Sequence, residues 1–340
     1  MGQLLTDSAA LPDQIFMTRD NELTREPIDA VFLWVDGADP QFRQSIKSVN
    51  SAAGPEIAIN RFRDNGELKF SLRSLERFAP WIRNVFLVTN GQVPPWLNCD
   101  HPRLTLVTHQ DLFHRKSDLP VFNSNAIELQ LHRIDGLSRR FLYLNDDVFF
   151  GRPSAPATFF RQDGSQLNFM QPTPLHADAS NGSTHDRSYA YTQNVIETVW
   201  GRRRPRFLPA HVPQIYDRDV IAALEARIPD EFAKTASHRF RSPDDLVLRV
   251  LYFSHIAETG GAVAEQIMLY ENSDAYRFVR MGERFRENLR ALRALRNAMP
   301  SFFCINDDLD GSLAARFAVL RMRQHLRQMF PGPSEFEAVS

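Results

Sequence analysis

A chain of 340 residues, 43% of them hydrophobic, can bury a large core, either as one big α/β domain or as one domain with a smaller appendage. Its net charge of -1 excludes a dedicated nucleic-acid binder, whose footprint is strongly basic. Cys99 and Cys304 are the only cysteines, too few for a disulfide framework or a thiolate zinc site; both read as buried apolar thiols and favour a reducing compartment. No window approaches the roughly 18 consecutive apolar residues of a membrane span. The opening MGQLLTDSAALPDQ lacks the charged start and apolar core of a signal peptide. The expectation is a soluble, cytoplasmic protein with no membrane span.

Residues 1–26 are polar and irregular and read as a tail. From residue 28 the pattern sharpens. IDAVFLWVDG is an apolar, β-rich run ending in Asp36-Gly37, the form of a buried parallel strand that opens into a loop. Asp64-Asn65-Gly66-Glu67 has the spacing of a capping box, and Leu68, Leu72, Leu75 and Ala79 then share one helical face until Pro80. NVFLVTNG (84–91) and RLTLVTHQD (103–111) are further strands. Asn125 and Glu128, again spaced as a capping box, open a helix marked by Ile127, Leu131 and Ile134, and RFLYLNDD (140–147) is a fourth strand. Strands alternating with helices predict an α/β fold with a mostly parallel, Rossmann-like sheet covered on both faces.

Residues 151–207 lose periodicity, and HADASNGSTHDRS (176–188) has the small polar composition of a mobile loop. GRRRPR (201–206) reads as a solvated surface turn or as a docking site for an anionic substrate. Beyond residue 207 the chain reads as largely helical. YDRDVIAALEARI carries Val220, Ile221, Leu224 and Ile228 on one face. In RSPDDLVLRVLYFSHIAE, Ser242 reads as an N-cap with Pro243 first in the helix and Asp244 and Asp245 in its first turn, a structural use of both acids. Two amphipathic helices follow over 282–299 and 311–330, the second with Leu313, Phe317 and Leu320 as its apolar face. Residues 27–330 thus form one α/β domain with a mobile insertion at about 151–207, and 331–340 form a C-terminal tail.

Ligands of such sheets sit outside the carboxyl ends of the strands, which gathers Asp36, Asn90, Asp111, Asp146 and Asp147 around one crevice. FLYLNDDVFFG (141–151) places two adjacent carboxylates inside an apolar run, and buried carboxylates need a cation or hydrogen-bond donors. At a strand end the pair suits Mg²⁺, and Mg²⁺ suits a diphosphate; a plain turn is the other reading. SFFCINDDLDG repeats the pattern around Asn306 and Asp307. His211 lies between Pro209 and Pro213, in a stretch those prolines keep from being helical, where it either packs or acts. Arg241 precedes the helix expected from Ser242, a place that favours anions. A histidine, an arginine and two Asn-Asp-Asp segments supply what phosphoryl transfer needs: a base, a phosphate clamp and metal ligands.

IDAVFLWVDGADP, RFRDNGELKFSLRSLERFAPWIRNVFLVTNGQVPPWL, LPVFNSNAIELQLHRIDGLSRRFLYLNDDVFFG, AHVPQIYDRDVIAALE, EFAKTASHRFRSPDDL and SFFCINDDLDG, in that order, resemble the four signature regions of the Stealth family. That family includes bacterial capsule polymerases and the catalytic subunit of animal GlcNAc-1-phosphotransferase. The resemblance implies a GT-A-like nucleotide-binding sheet. It also implies transfer of hexose-1-phosphate, such as an N-acetylhexosamine-1-phosphate, from a UDP-sugar to an acceptor hydroxyl with release of UMP, in capsular or exopolysaccharide synthesis. Carried onto this chain, it makes His211, Arg241 and Asp146 catalytic. Asp147 and Asp307 become ligands of Mg²⁺ (or Mn²⁺). Asp36, Gly37, Asp64, Asn65, Arg73 and Asn90 become donor-binding residues, although Asp64 also reads as a helix cap and Arg73 can pair with Glu76. His211 acts either as the base or as a nucleophile forming phosphohistidine. The partners implied are the UDP-sugar and an oligosaccharide or polysaccharide acceptor, with no nucleic acid and with peripheral association beside a membrane export complex. A conventional metal-dependent glycosyltransferase releasing UDP, and an inactive sugar-nucleotide binder, are the alternatives.

Overall fold

A computed structural model describes residues 26–49, 62–176, 178–201, 205–259, 265–309 and 312–338. The first half carries β1 (Ile28–Leu33), α1 (Pro40–Val49), α2 (Glu67–Phe78), β2 (Val85–Thr89), β3 (Leu104–Thr108), α3 (His109–Leu112), α4 (Ser124–Glu128), β4 (Arg140–Asn145) and β5 (Val148–Phe150). Then come β6 (Leu167–Pro174), α5 (Thr184–Trp200), β7 (Phe207–Pro209), β8 (Gln214–Asp217), α6 (Arg218–Arg227), α7 (Pro229–Ser237) and α8 (Leu248–Thr259). The chain continues through β9 (Glu265–Met268), β10 (Tyr276–Met281), α9 (Phe285–Ala298), β11 (Phe302–Asp307) and α10 (Leu313–Met329).

The central sheet has the order β3-β2-β1-β4-β8. Its first four strands are parallel, and β8 joins β4 antiparallel. Alternation along β1 divides the core. Ala30 and Phe32 pack on one side with Leu68, Leu72 and Leu75 of α2, whereas Val31 packs on the other with Phe86, Phe141 and the α8 residues Leu251 and Phe253. Both faces are therefore covered, as the unbroken apolar runs require, and the α/β class expected from sequence is the fold observed.

β4 ends at Asn145, Asp146 and Asp147 make a turn, and β5 starts a second sheet with order β10-β11-β5. The Asn-Asp-Asp stretch is thus the seam between two sheets. β5 is antiparallel to β11, and the paired Phe149 and Phe303 rings stack with centroids 4.7 Å apart. From the other side α2 grips β5: Ser71 Oγ donates to the carbonyl of Val148 at 2.5 Å, and Ser74 Oγ accepts from the amide of Phe150 at 3.1 Å.

Several local expectations change. The N-cap of α2 is Gly66, at φ 83°, which needs a residue without Cβ strain. Asp64 accepts from the amide of Gly66, while Glu67 reaches back to the amide of Asn65, so the box closes on different residues. α4 is one short turn capped by Asn123, because the Asn125 side chain is used elsewhere, on Asp245. α8 begins at Leu248 and not at Ser242. The Asp245 carboxylate, fully buried, accepts from the side-chain amides of Asn123 and Asn125 and from the Ser242 amide, and pairs with His238 at 2.8 Å. It ties a loop together where a helix was expected.

The segment read as a mobile loop contains β6 and the 17-residue α5, which starts on a Ser183–Asp186 capping box. Helices dominate after residue 207, but β7 to β11 interleave with them. In GRRRPR, Arg202 to Arg204 lie outside the described residues, and Arg206 is buried against Glu258. On α10 the apolar face turns out reversed. Leu313, Phe317 and Leu320 are 71%, 60% and 57% exposed, and the smaller Ala315 and Ala318 with Met322 and Leu326 face the core. Cys99 is exposed, not buried. Residues 331–338 pack down, with Phe336 buried and Glu337 paired with Lys69 and Arg73.

Opposite the crevice, Asp29 is fully buried at the start of β1. It accepts from Arg83 Nε and Nη2 at 2.8 and 2.5 Å and from the amides of Ser138 and Asn84 at 2.7 and 3.1 Å. Asp29→Ala strands those donors and lowers the unfolding free energy by about 2–4 kcal/mol, with Asp29→Asn costing less, as read from urea denaturation. A change below about 0.5 kcal/mol contradicts this.

Candidate active site

The turn at residues 146 and 147 opens into a cleft of about 210 Å³ whose lining includes Asn145, Asp147, His211, Arg241, Arg249 and Asn306. Asn145 and Asp147 face the cleft; between them, Asp146 turns away toward Glu67 and Asp64. The same spacing governs β11, where Cys304 reaches Asp147 and Asn306 lines the cleft, leaving Asp307 on the other side.

Asp147 is the hub. Its Oδ1 lies 3.3 Å from His211 Nε2, and its Oδ2 accepts from Cys304 Sγ at 3.2 Å. Burial pushes its carboxyl up, but His211 and Cys304 outweigh burial and hold it below the usual range. Asp146 goes the other way, pushed far up by burial and by the charges of Asp147, Glu67 and Asp64. The two adjacent aspartates are therefore pushed in opposite directions.

His211 sits between opposing neighbours. Burial pulls its pKa down, and Asp147 and Glu128 more than reverse that. On the far side of the ring, Arg249 Nη1 lies 3.2 Å from Nδ1. A guanidinium only donates, so Nδ1 accepts and Nε2 carries the proton toward Asp147. Arg241 comes from the loop after α7 and donates to Ser124 Oγ at 2.7 Å. The helix start expected at Arg241 is absent from the described residues, so its anion-binding capacity rests on the guanidinium alone.

The residues singled out from sequence are not all gathered here. Arg73 makes a two-pronged pair with Glu337 at 2.6 and 2.8 Å and donates to the Phe330 carbonyl, which accounts for its charge structurally. Asp307 accepts from Arg63 and Asn65 at 2.9 Å each and from the Leu309 amide, and it is not among the ligand atoms that gather within 4.8 Å at Asp147. Those atoms belong to Asp147, His211 and Cys304. Asp36 accepts from the Ala38 amide beyond β1, and Asn90 accepts from the Gln92 amide beyond β2. Gly37 has no room for a side chain, since a Cβ would lie 2.5 Å from the Phe62 carbonyl oxygen.

Glu128, His185, Arg249 and Cys304 escaped the sequence reading. Glu128 was taken as a cap and His185 lay in the presumed loop. Arg249 offered a signal, a lone charge inside LVLRVLYF.

Four Stealth protein conserved-region models match the chain: region 1 over residues 26–53, region 2 over 61–168, region 3 over 210–258 and region 4 over 293–340. Asp147, His211, Arg241 and Cys304 fall in regions 2, 3, 3 and 4, so the cleft is built where those regions meet. The chain belongs to the Stealth family. It is 37% identical over 92% of its length to an exopolysaccharide phosphotransferase of Streptomyces coelicolor, covering 51% of that protein. It is 36% identical to exopolysaccharide phosphotransferase CpsY of Mycobacterium tuberculosis over 92% of this chain and 58% of that one. The chain thus spans about half the length of these curated relatives. Among solved structures, the galactosyltransferase LgtC aligns over 91% of this chain and 98% of its own, at 11% identity and a TM-score of 0.40.

The acidic floor behind Asp147 has a measurable signature. Burial pushes the Glu67 carboxyl from 4.5 up to about 8. The folded state then holds a proton that the unfolded chain releases near its ordinary pKa. This contribution is complete below about pH 4.5 and is lost as pH rises through about 8. Urea denaturation from pH 5 to 8 therefore shows the wild type losing stability relative to Glu67→Gln; parallel pH profiles contradict the assignment.

Proposed function

We propose that this chain transfers hexose-1-phosphate, an N-acetylhexosamine-1-phosphate in the first instance, from a UDP-sugar to an acceptor hydroxyl. The products are a phosphodiester and UMP, and the setting is capsular or exopolysaccharide synthesis. The observation that carries the reading is the Asp147–His211 pair, held in one cleft with Arg241 by two of the family's conserved regions. The names of the curated relatives point the same way.

In this mechanism the acceptor oxygen attacks the β-phosphorus, the bond from phosphorus to the UMP oxygen breaks, and UMP leaves with that electron pair. His211 takes the acceptor proton on Nδ1, while Asp147 accepts a hydrogen bond from Nε2–H and stabilises the imidazolium that results. Arg241 meets the charge on the transferring phosphoryl oxygens.

A divalent cation fits this cleft at Asp147, since Mg²⁺ or Mn²⁺ is commonly held by one or two carboxylates plus substrate phosphates. When bound, it neutralises diphosphate charge. Cys304 and His211 lie at the same point but direct their protons at Asp147, so in this proposal the carboxylate is the ligand, which suits a hard cation. Asp307 is a poor ligand because Arg63, Asn65 and Leu309 already occupy its oxygens. Among the described residues no helix is long and apolar enough to cross a membrane.

The test is ³¹P NMR of the protein with Mg²⁺ or Mn²⁺, a panel of UDP-sugars and phosphodiester-linked acceptor oligosaccharides. UMP and a new phosphodiester resonance are expected, with His211→Ala slowing turnover by about 10²-fold or more while UDP-sugar binding persists. Release of UDP places the attack at the sugar carbon and overturns the reading.

A further inference from the structure

We infer that Arg249 is an anion ligand of the cleft, closing with Arg241 on a phosphate group held beside His211. The inference rests on the proposed reaction only for which phosphate this is; the anion site stands on Arg249's own surroundings.

Arg249 is the second residue of α8, flanked by Leu248, Val250 and Leu251, all fully buried. Its guanidinium lines the cleft with Arg241 and His211. Its hydrogen bonds go to neutral imidazole nitrogens: Nη1 to His211 Nδ1 at 3.2 Å and Nη2 to His185 Nε2 at 3.4 Å. The group also lies over the Tyr189 ring, 5.3 Å from its centroid. Among the described residues, no carboxylate comes within ion-pair distance of it.

The two acids that act on it, Glu128 and Asp147, do so from beyond ion-pair distance and spend hydrogen bonds on other groups. Glu128 accepts from Tyr143 at 3.1 Å, and Asp147 is shared between His211 and Cys304. Burial accordingly draws the Arg249 pKa below the ordinary guanidinium value, and Glu128, Tyr143, Tyr276 and Asp147 offset this only in part. A part-buried guanidinium with no carboxylate at ion-pair distance is incompletely compensated, and an anion arriving in the cleft supplies the missing charge. Arginine presents five donors in a planar fork that matches phosphate oxygens, and here two of the five are spent on weak neutral acceptors. Arg241, in the loop between α7 and α8, donates to Ser124 Oγ and supplies a second fork to the same cleft.

The ligand class that fits two guanidinium groups in one small cleft is a diphosphate or a phosphate diester. When Arg249 Nη1 turns to such an anion it leaves His211 Nδ1 open to the cleft. Phosphate binding and exposure of the base are then one movement.

Orienting His211 is the simpler use of Arg249, and glutamine separates the two, because its amide can still donate to Nδ1 but carries no charge. Pyrophosphate is titrated calorimetrically, in EDTA, into the wild type, Arg249→Gln and Arg249→Met, with unfolding curves to verify that each variant is folded. Loss of about tenfold or more in pyrophosphate affinity in Arg249→Gln is expected, Arg249→Met behaving alike. Affinity within about twofold of wild type in either folded variant overturns the proposal, as does a wild type that fails to bind pyrophosphate. The KM for the UDP-sugar rises more than kcat falls if Arg249 binds the donor. If no sugar phosphate is transferred yet Arg249→Gln still loses pyrophosphate, the reaction is wrong and the anion site stands. If transfer occurs and Arg249→Gln keeps both affinity and KM, the anion site alone fails.

Discussion

The contact between Asp147 and His211 is the constraint around which the rest of this molecule is arranged. A carboxylate that is poorly hydrated has to find donors, and here it finds an imidazole on one oxygen and a thiol on the other. Those two partners come from chain segments 64 and 157 residues away. Bringing them together requires the central sheet to end at residue 145 and a second sheet to start at residue 148, so that β11 and the loop before β8 both reach the same seam.

Adjacency in sequence does not mean equivalence in chemistry. Asp146 and Asp147 differ by one position in a tight turn, and the turn sends one carboxyl to an acidic floor of Glu67 and Asp64 and the other to His211. Burial and then like charges push the Asp146 carboxyl up, whereas His211 and Cys304 hold that of Asp147 down. One turn thus sets two neighbouring carboxyls in opposite directions.

Much of the framework was legible because parallel strands buried on both faces write themselves as unbroken apolar runs, and four such runs became β1 to β4. The helix faces were less legible where size and burial part company: the large apolar residues of α10 face outward and its alanines face inward, which periodicity alone cannot decide. Asp147, His211 and Arg241 stand in motifs far apart in sequence, and the fold brings them to one cleft. Asp307 and Arg73 lie in equally good motifs, and only the partners supplied by distant chain, Arg63 with Asn65 and Glu337, explain their charges. Arg249 is one charge within an apolar run, and only the fold shows that it faces a cleft.

The packed C-terminal segment has a mechanical consequence. Glu337 clamps Arg73 and Lys69 on one side of α2, and the other side of that helix holds β5 through Ser71 and Ser74, immediately after Asp147. Burial pushes the Glu337 carboxyl up, yet Arg73 and Lys69 bring it down to about 2, so the clamp stays charged through all mild conditions. Residues near position 337 and the strand that follows the turn at residue 147 are therefore fastened to the same helix from opposite sides. A fusion or truncation made there removes one of the two fastenings of the helix on which that strand is hung.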